Sequence, residues 1–248
     1  MSASLDTLGA VNVIIVGDGA IGAALLEQLL RRPSLRHAVV LGRTAKPPVS
    51  DGRVTRLRFD ACDPASVTRA ASSAGEVLGR AHLLINTVGV LHSETQQPEK
   101  QLRSLSADHL QQSFLVNATL LPLLAQAFGV LLRHDEPAVL ASLSARVGSI
   151  EDNRSGGWYS YRASKAAHNM LLRTLALEWR LSHRNATVVA LHPGTVSSRL
   201  SEPFLSPRYK NRVLQPEESA QALLRVIGQL QPESSGHFYD WQGQPIPW

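Results

Sequence analysis

Short apolar runs recur along the chain, and each is followed by a longer stretch with helical spacing. Val11 to Val16 (VNVIIV) is nearly all apolar and β-branched, as a parallel strand buried on both faces must be. The same signal returns at His37–Leu41, Val54–Phe59, His82–Ile85, Ala138–Leu143 and Thr187–Leu191. Helical patterns lie between them at Ala20–Leu30, Pro64–Ala74, Leu105–Leu132, Tyr159–Ser182 and Pro216–Leu230. Strand and helix alternate over the whole length, which predicts an α/β fold: one doubly wound parallel sheet with helices on both faces. No internal repeat and no long linker divides the chain, so a single domain over residues 1–248 is expected. Thr44–Gly52 and Ser93–Lys100 read as surface loops.

Composition adds little to that picture but removes rivals. At 248 residues the chain can bury roughly 70–75% of its unfolded surface. With 44% apolar and 18% charged residues it reads as an ordinary globular protein. The single cysteine, Cys62, excludes an intramolecular disulfide framework and fits a reducing, cytoplasmic setting. The formal charge of +5 is carried mostly by arginines scattered from Arg31 to Arg225, with one adjacent pair, Arg31-Arg32. A nucleic-acid footprint would cluster them among aromatics, and aromatics are 5% of the chain. Met1–Gly9 contains Asp6 and has no apolar run, unlike an export signal. Leu115–Leu132 is the most apolar stretch, but Asn117, Thr119, Pro122 and Gln126 interrupt it, and it reads as a buried helix. Nine histidines without H-x-H or H-x-x-x-H spacing and one cysteine offer no zinc cage.

Candidate chemistry begins where the first strand ends. Gly17-Asp18-Gly19-Ala20-Ile21-Gly22 follows that strand and opens the first helix. In that context glycines permit a tight turn and let the backbone approach a pyrophosphate, while the helix N-terminus offers unpaired N–H groups to phosphate. A dinucleotide site is expected there. At the end of the second strand, Leu41-Gly42-Arg43 lacks the acid that would bind a ribose 2′-hydroxyl and presents Arg43, whose fork matches a 2′-phosphate. NADPH is therefore expected over NADH, with NADH possible. Asp18 brings a negative charge to this turn, and its carboxylate is expected to point away from the phosphates.

Tyr161 and Lys165 are four residues apart and so share one face of a helix. A lysine ammonium near a phenol favours phenolate, and such a tyrosine can exchange a proton with a carbonyl oxygen as hydride arrives.

Taken in order, these pieces resemble the short-chain dehydrogenase/reductase family over the full length: the glycine turn, Asp60-Ala61-Cys62-Asp63, Asn86-Thr87-Val88-Gly89, Asn117, Tyr161 with Lys165, and Pro193-Gly194-Thr195-Val196-Ser197-Ser198. Ser144 to Ile150, Gly156 to Arg162 and the ending Gly236–Trp248 are similar to the C-factor/sniffer-like branch. The resemblance implies a Rossmann fold and a carbonyl reductase or alcohol dehydrogenase. It implies Tyr161 as general acid/base, Lys165 on the nicotinamide ribose, and Asn117 carrying a water in a proton relay. It further implies Asp60 and Ala61 at the adenine, Asn86 and Gly89 along the cofactor, Val196 at the carboxamide and Ser198 near the phosphates, with Pro193 and Gly194 shaping that turn. A homodimer or homotetramer acting on a small-molecule carbonyl or alcohol follows from the same resemblance.

The chain departs from the family pattern in two places. The glycine turn is one residue short, with Ala20 at the penultimate glycine. Counting back from Gly148, Ala145 stands where the catalytic serine is usual, and Ser144 precedes it. A local bulge could bring Ser144 into the site; Ser142 and Ser149 are spares, and a site without such a serine is the alternative. These departures keep a second function open, a cofactor-binding regulatory protein with weak or no turnover. A lid is expected over Ser197–Val213, where Phe204, Leu205, Tyr209 and three arginines suggest a partly apolar substrate.

Overall fold

β-Branched and leucine-rich runs become the centre of the molecule because they can lose water on both faces. A computed structural model describes residues 8–43, 51–93, 96–205 and 212–248. Its core is a seven-stranded, all-parallel sheet in the order β3-β2-β1-β4-β5-β6-β9. The strands are β1 Val11–Val16, β2 Leu35–Gly42, β3 Val54–Arg58, β4 Leu83–Asn86, β5 Ala138–Leu143, β6 Ala186–His192 and β9 His237–Asp240. A separate two-stranded pair joins β7 Thr195–Val196 to β8 Val213–Leu214. β7, β8 and the edge strand β9 were not expected from the sequence, because two to four residues carry too little periodicity to announce a strand.

The period of two along each strand divides the core into two layers. Ile14 and Val16 face α2 (Pro64–Leu78), α4 (Leu120–Leu132) and α5 (Tyr159–Ser182). Val13 and Ile15 face α1 (Ala20–Leu30) and α6 (Pro216–Gly228). Each large side chain sealed in these layers, such as Phe128 or Leu25, contributes roughly 2 kcal/mol by leaving water. Ala107–Leu132 is long and apolar enough to cross a membrane by length and composition. Here Leu120, Leu121, Leu124, Phe128 and Leu132 are buried against the sheet and its neighbouring helices, as expected of a core helix. Within it, α3 (Ala107–Phe114) passes into α4 through a π turn, Leu115–Thr119, centred on Asn117.

From β1 the chain runs outward through β2 to β3, then returns to place β4 on the other side of β1. This reversal lies between β1 and β4, and open α/β sheets bind ligands beyond the carboxyl ends of the strands at such a point. Residues 44–50, Glu94, Thr95, Arg208 and Tyr209 lie outside the described residues, so parts of both expected loops and of the expected lid do as well.

Candidate active site

The glycine turn is shaped by contacts that no side chain could share. Gly17 adopts φ +99°, and a Cβ there would lie 2.6 Å from Thr87 Oγ1. A Cβ on Gly22 would lie 2.0 Å from the Gly17 carbonyl oxygen, so only glycine lets α1 start this close to β1. Thr87, which sequence reading did not single out, pins the turn by sharing its hydroxyl hydrogen between the carbonyls of Val16 and Gly17. Gly19 is the N-cap of α1, with no side-chain cap and no acid in the first turn. The leading N–H groups, at Ala20, Ile21 and Gly22, and the positive dipole end therefore remain available to an anion. This cradle fits a dinucleotide pyrophosphate.

Asp18 is turned toward the neighbouring strand: a Cβ on Gly42 would lie 2.6 Å from its Cγ. The turn thus sets a carboxylate beside the end of β2. Arg43 is exposed at that same strand end. The Cys62 thiol is pushed up by local desolvation and by Asp60, while the Arg43 guanidinium pulls it down, which places Arg43 near the Asp60-Ala61-Cys62 turn. In that turn Asp60 Oδ1 accepts from the Cys62 N–H (2.9 Å) and Ala61 joins the core. Cys62 itself is exposed.

One strand over, Asn86 fixes the turn after β4. Its Oδ1 accepts from the Val88 N–H (3.1 Å) and its Nδ2 donates to Ser142 (3.0 Å). Gly89 stands between the two halves of the site: a Cβ there would lie 3.5 Å from Asn117 Oδ1 and 3.6 Å from Lys165 Nζ. The Asn117 side chain clamps this loop, accepting from the Val90 N–H (2.9 Å) and donating to the Val90 carbonyl (2.8 Å) and Ser164 Oγ (3.1 Å). Ser164 in turn donates to the Tyr161 carbonyl (2.9 Å). The Asn117 carbonyl bonds His168 Nδ1 at 3.0 Å, a contact with no counterpart in the sequence reading.

Tyr161 and Lys165 project from successive turns of α5, with Lys165 Nζ 6.0 Å from the tyrosine ring centre and donating to the Leu143 carbonyl at 2.9 Å. Both are buried. Burial pushes the Tyr161 phenol up and the Lys165 ammonium down, to about 8. The expected lowering of the phenol by its lysine is not what the free protein shows: burial raises it, so the Tyr161 hydroxyl is protonated at neutral pH.

Ser144 is not brought to that phenol. Its hydroxyl donates to Asn169 Oδ1 at 2.6 Å. Asn169 sits two helical turns beyond Tyr161, about 12 Å along the axis, so this hydroxyl is committed elsewhere. No bulge interrupts the pairing of β5 with β6 to re-aim it. Ser142 bonds Asn86 and Ser149 donates to the Trp248 carbonyl, so neither spare replaces it.

On the far side, Gly194 (φ +81°) turns the chain after β6, with Pro193 accepting from Ser219 Oγ (2.7 Å). Val196 is buried, and Ser198 heads a turn closed by Ser201 and Glu202. Among the described residues no cluster of His, Cys, Asp or Glu could hold a metal.

Sequence and structure comparisons agree with this geometry. The family model for short chain dehydrogenase matches residues 11–208. Over 109 residues, 44% of this chain and 60% of the relative, the protein is 38% identical to C-signal of Myxococcus xanthus. Over 114 residues, 46% of this chain and 48% of the relative, it is 40% identical to 1-hydroxy-2-glutathionyl-2-methyl-3-butene dehydrogenase of Rhodococcus sp. (strain AD45). The chain thus aligns with about half of the length of these curated relatives. An NADPH-bound carbonyl reductase from chicken fatty liver superposes with a TM-score of 0.83 at 25% identity, covering 96% of this chain and all of that one. The carbonyl reductase Sniffer of D. melanogaster, at 20% identity, shares the fold with a TM-score of 0.85, covering 97% of this chain and all of that one.

Proposed function

Because the chain belongs to the short-chain dehydrogenase family and is an oxidoreductase of that kind, we propose that it is an NADPH-dependent reductase of small carbonyl compounds, also able to oxidise the corresponding alcohols. The observation that carries this reading is that one loop, Thr87-Val88-Gly89, touches both an uncapped, glycine-lined helix start, at Gly17, and the buried Tyr161–Lys165 pair, at Lys165. When bound, the nicotinamide supplies the hydride. Ala20, Ile21 and Gly22 hold the pyrophosphate through their N–H groups, and Gly17 and Gly19 keep that approach open. Arg43 holds the 2′-phosphate, Asp60 and Ala61 border the adenine, and Asn86, Gly89, Pro193, Gly194, Val196 and Ser198 line the remaining path. Tyr161 Oη donates its proton to the substrate oxygen. Lys165 holds the ribose and favours the phenolate left behind, and Asn117 keeps the loop at Gly89 in register with both. Ser144, through Asn169, braces this end of α5 rather than touching the substrate.

The Asp18 carboxylate over Gly42 favours NADH as a second cofactor, since an acid at this strand end can take the ribose hydroxyls. Ala145, with Ser144 occupied, supports a second reading, a cofactor-binding regulatory protein with little turnover. The exposed apolar residues Met170, Leu177 and Leu181 on α5 support a homodimer or homotetramer, and the lone cysteine a cytoplasmic location. A carbonyl panel with NADPH, run beside Tyr161→Phe, tests the reading. Turnover lost in the variant with NADPH binding retained supports the reductase. NADPH binding without turnover on any carbonyl supports the regulatory protein.

A further inference from the structure

Trp158 occupies a position that local rules disfavour. Among the described residues it is the one non-glycine with positive φ (+52°, ψ +45°), a conformation unfavourable for a bulky side chain. It follows two left-handed glycines, Gly156 (φ +61°) and Gly157 (φ +65°). It is also the N-cap of α5, where a serine, threonine, aspartate or asparagine would satisfy an orphan N–H, and its indole provides no cap.

Two side chains hold it there, one from a distant loop and one from the first turn of α5 itself. The buried carboxylate of Glu99 takes over the capping, with Oε2 accepting from the Ser160 N–H (3.1 Å) and Oε1 from the Ser160 hydroxyl; the Glu99 carbonyl accepts from the Trp158 N–H. Arg162 spreads its guanidinium over the carbonyls of Gly156, Gly157 and Val147 and over Ser155 Oγ. A local rule broken here and compensated by a buried carboxylate from a remote loop points to a position kept for function.

That position places the indole beside the proposed proton donor. The Trp158 ring is edge-on to Tyr161 at 6.3 Å and tilted against Phe204 at 5.0 Å. Phe204 also meets His92 edge-on at 5.6 Å, and the His92 ring is tied to the Arg199 carbonyl at 2.9 Å. Three loops from the carboxyl side of the sheet thus build one aromatic wall, and its three rings are each only partly covered.

We propose that this wall is a subsite for a flat aryl group, with Trp158 the specificity-determining residue that makes aryl ketones and aldehydes preferred over open-chain ones. The inference rests on the reductase reading and deepens it. A planar ring continues the tilted stack with complementary edges and faces, whereas a flexible alkyl chain must also surrender rotamer freedom to lie there.

The test compares acetophenone with methyl hexyl ketone, which carries the same number of carbons on the same methyl ketone. Turnover with NADPH and calorimetric affinity in the presence of NADP are measured for the wild type, Trp158→Ala, Trp158→Phe and Phe204→Ala. The wild type should prefer acetophenone, and Trp158→Ala should lower the aryl-to-alkyl ratio of kcat/KM by about tenfold. Trp158→Phe should keep most of the preference, which a merely destabilised loop would not. Should Trp158→Ala fail to fold, Phe204→Ala must show the same loss. An unchanged ratio in these variants, or a wild type that does not bind acetophenone, overturns the proposal. If no carbonyl is turned over but acetophenone binds and Trp158→Ala abolishes that binding, the reductase reading fails and the aryl subsite stands.

Discussion

The two ends of the parallel sheet differ in how their buried ionisable groups are partnered: His82 is bonded to an acid, whereas Tyr161, Lys165 and His168 have no acid partner among the described residues. At the amino end most of the buried polar groups are linked to one another, although Asn12 Oδ1 and His134 Nδ1 are buried without a hydrogen-bond partner. His82 Nδ1 accepts from the Asn12 N–H (3.0 Å), and its Nε2 bonds Glu136 (2.8 Å), which is also paired with Arg80 (2.9 Å). Asn12 Nδ2 donates to the carbonyls of Leu78 and Arg80, closing the turn after α2. At the carboxyl end, Tyr161, Lys165, His168 and His192 are buried in ways that disfavour their charged forms. His168 Nε2 and His192 Nδ1 are buried without a hydrogen-bond partner. A linked polar network rigidifies a fold, while perturbed ionisable groups gathered at one place mark a candidate site. On the proposed reading, the amino end is structural and the carboxyl end is where the chemistry takes place.

The largest effect that tests this contrast is on turnover. Tyr161→Phe should slow carbonyl reduction about 1,000-fold, a barrier increase of about 4 kcal/mol, with thermal stability nearly unchanged. A variant keeping most of its rate would move the proton donor elsewhere.

Lys165→Met sharpens the energetic side. Lysine in the unfolded chain holds its proton up to the ordinary value of 10.5, whereas burial makes the folded chain release it near 8. The stability tied to this group is present above 10.5 and is lost as pH falls through 8, because the unfolded state then binds the extra proton. Without cofactor, Lys165→Met should be more stable than the wild type at neutral pH by up to about 3 kcal/mol, the gap closing in alkali. Denaturant melts across pH read this directly, and parallel curves would refute it.

At the opposite end, His82→Ala should cost about 2 kcal/mol of unfolding free energy by leaving the Asn12 N–H buried and unpaired. Its kcat should match the wild type. A change in kcat with no change in stability would erase the distinction between the two ends.

The smallest effect divides the cofactor-binding side itself. Arg43→Ala should weaken NADPH binding about tenfold, close to 1.4 kcal/mol, and leave NADH untouched. Asp18→Asn should weaken NADH and spare NADPH. Fluorescence titration of each cofactor separates the two, and equal losses for both would remove the assignment of Arg43.

Much of this was legible in the residue order because its signals are local. Strand β1 and helices α1 and α5 begin and end where periodicity placed them, since buried strands and amphipathic helices are read within a dozen residues. The glycine turn was legible for the same reason: strand, tight turn and helix start are contiguous. Likewise, four-residue spacing alone put Tyr161 and Lys165 on one face.

What the chain order withheld depends on residues far apart in it. That Ser144 is spent on Asn169, that Asp18 lies over Gly42, and that Glu99 caps the helix carrying Tyr161 are each decided by packing across the crevice. The balance at Tyr161 was also undecidable locally. Spacing predicts an acidified phenol, yet desolvation, a property of everything packed around it, raises the phenol of the free protein. Sequence therefore determined which fold forms and which groups stand near its opening, because short-range patterning encodes both. Tertiary structure alone decided which of those groups are free to act, because hydrogen-bond partners and burial are set by neighbours that the chain brings together only on folding.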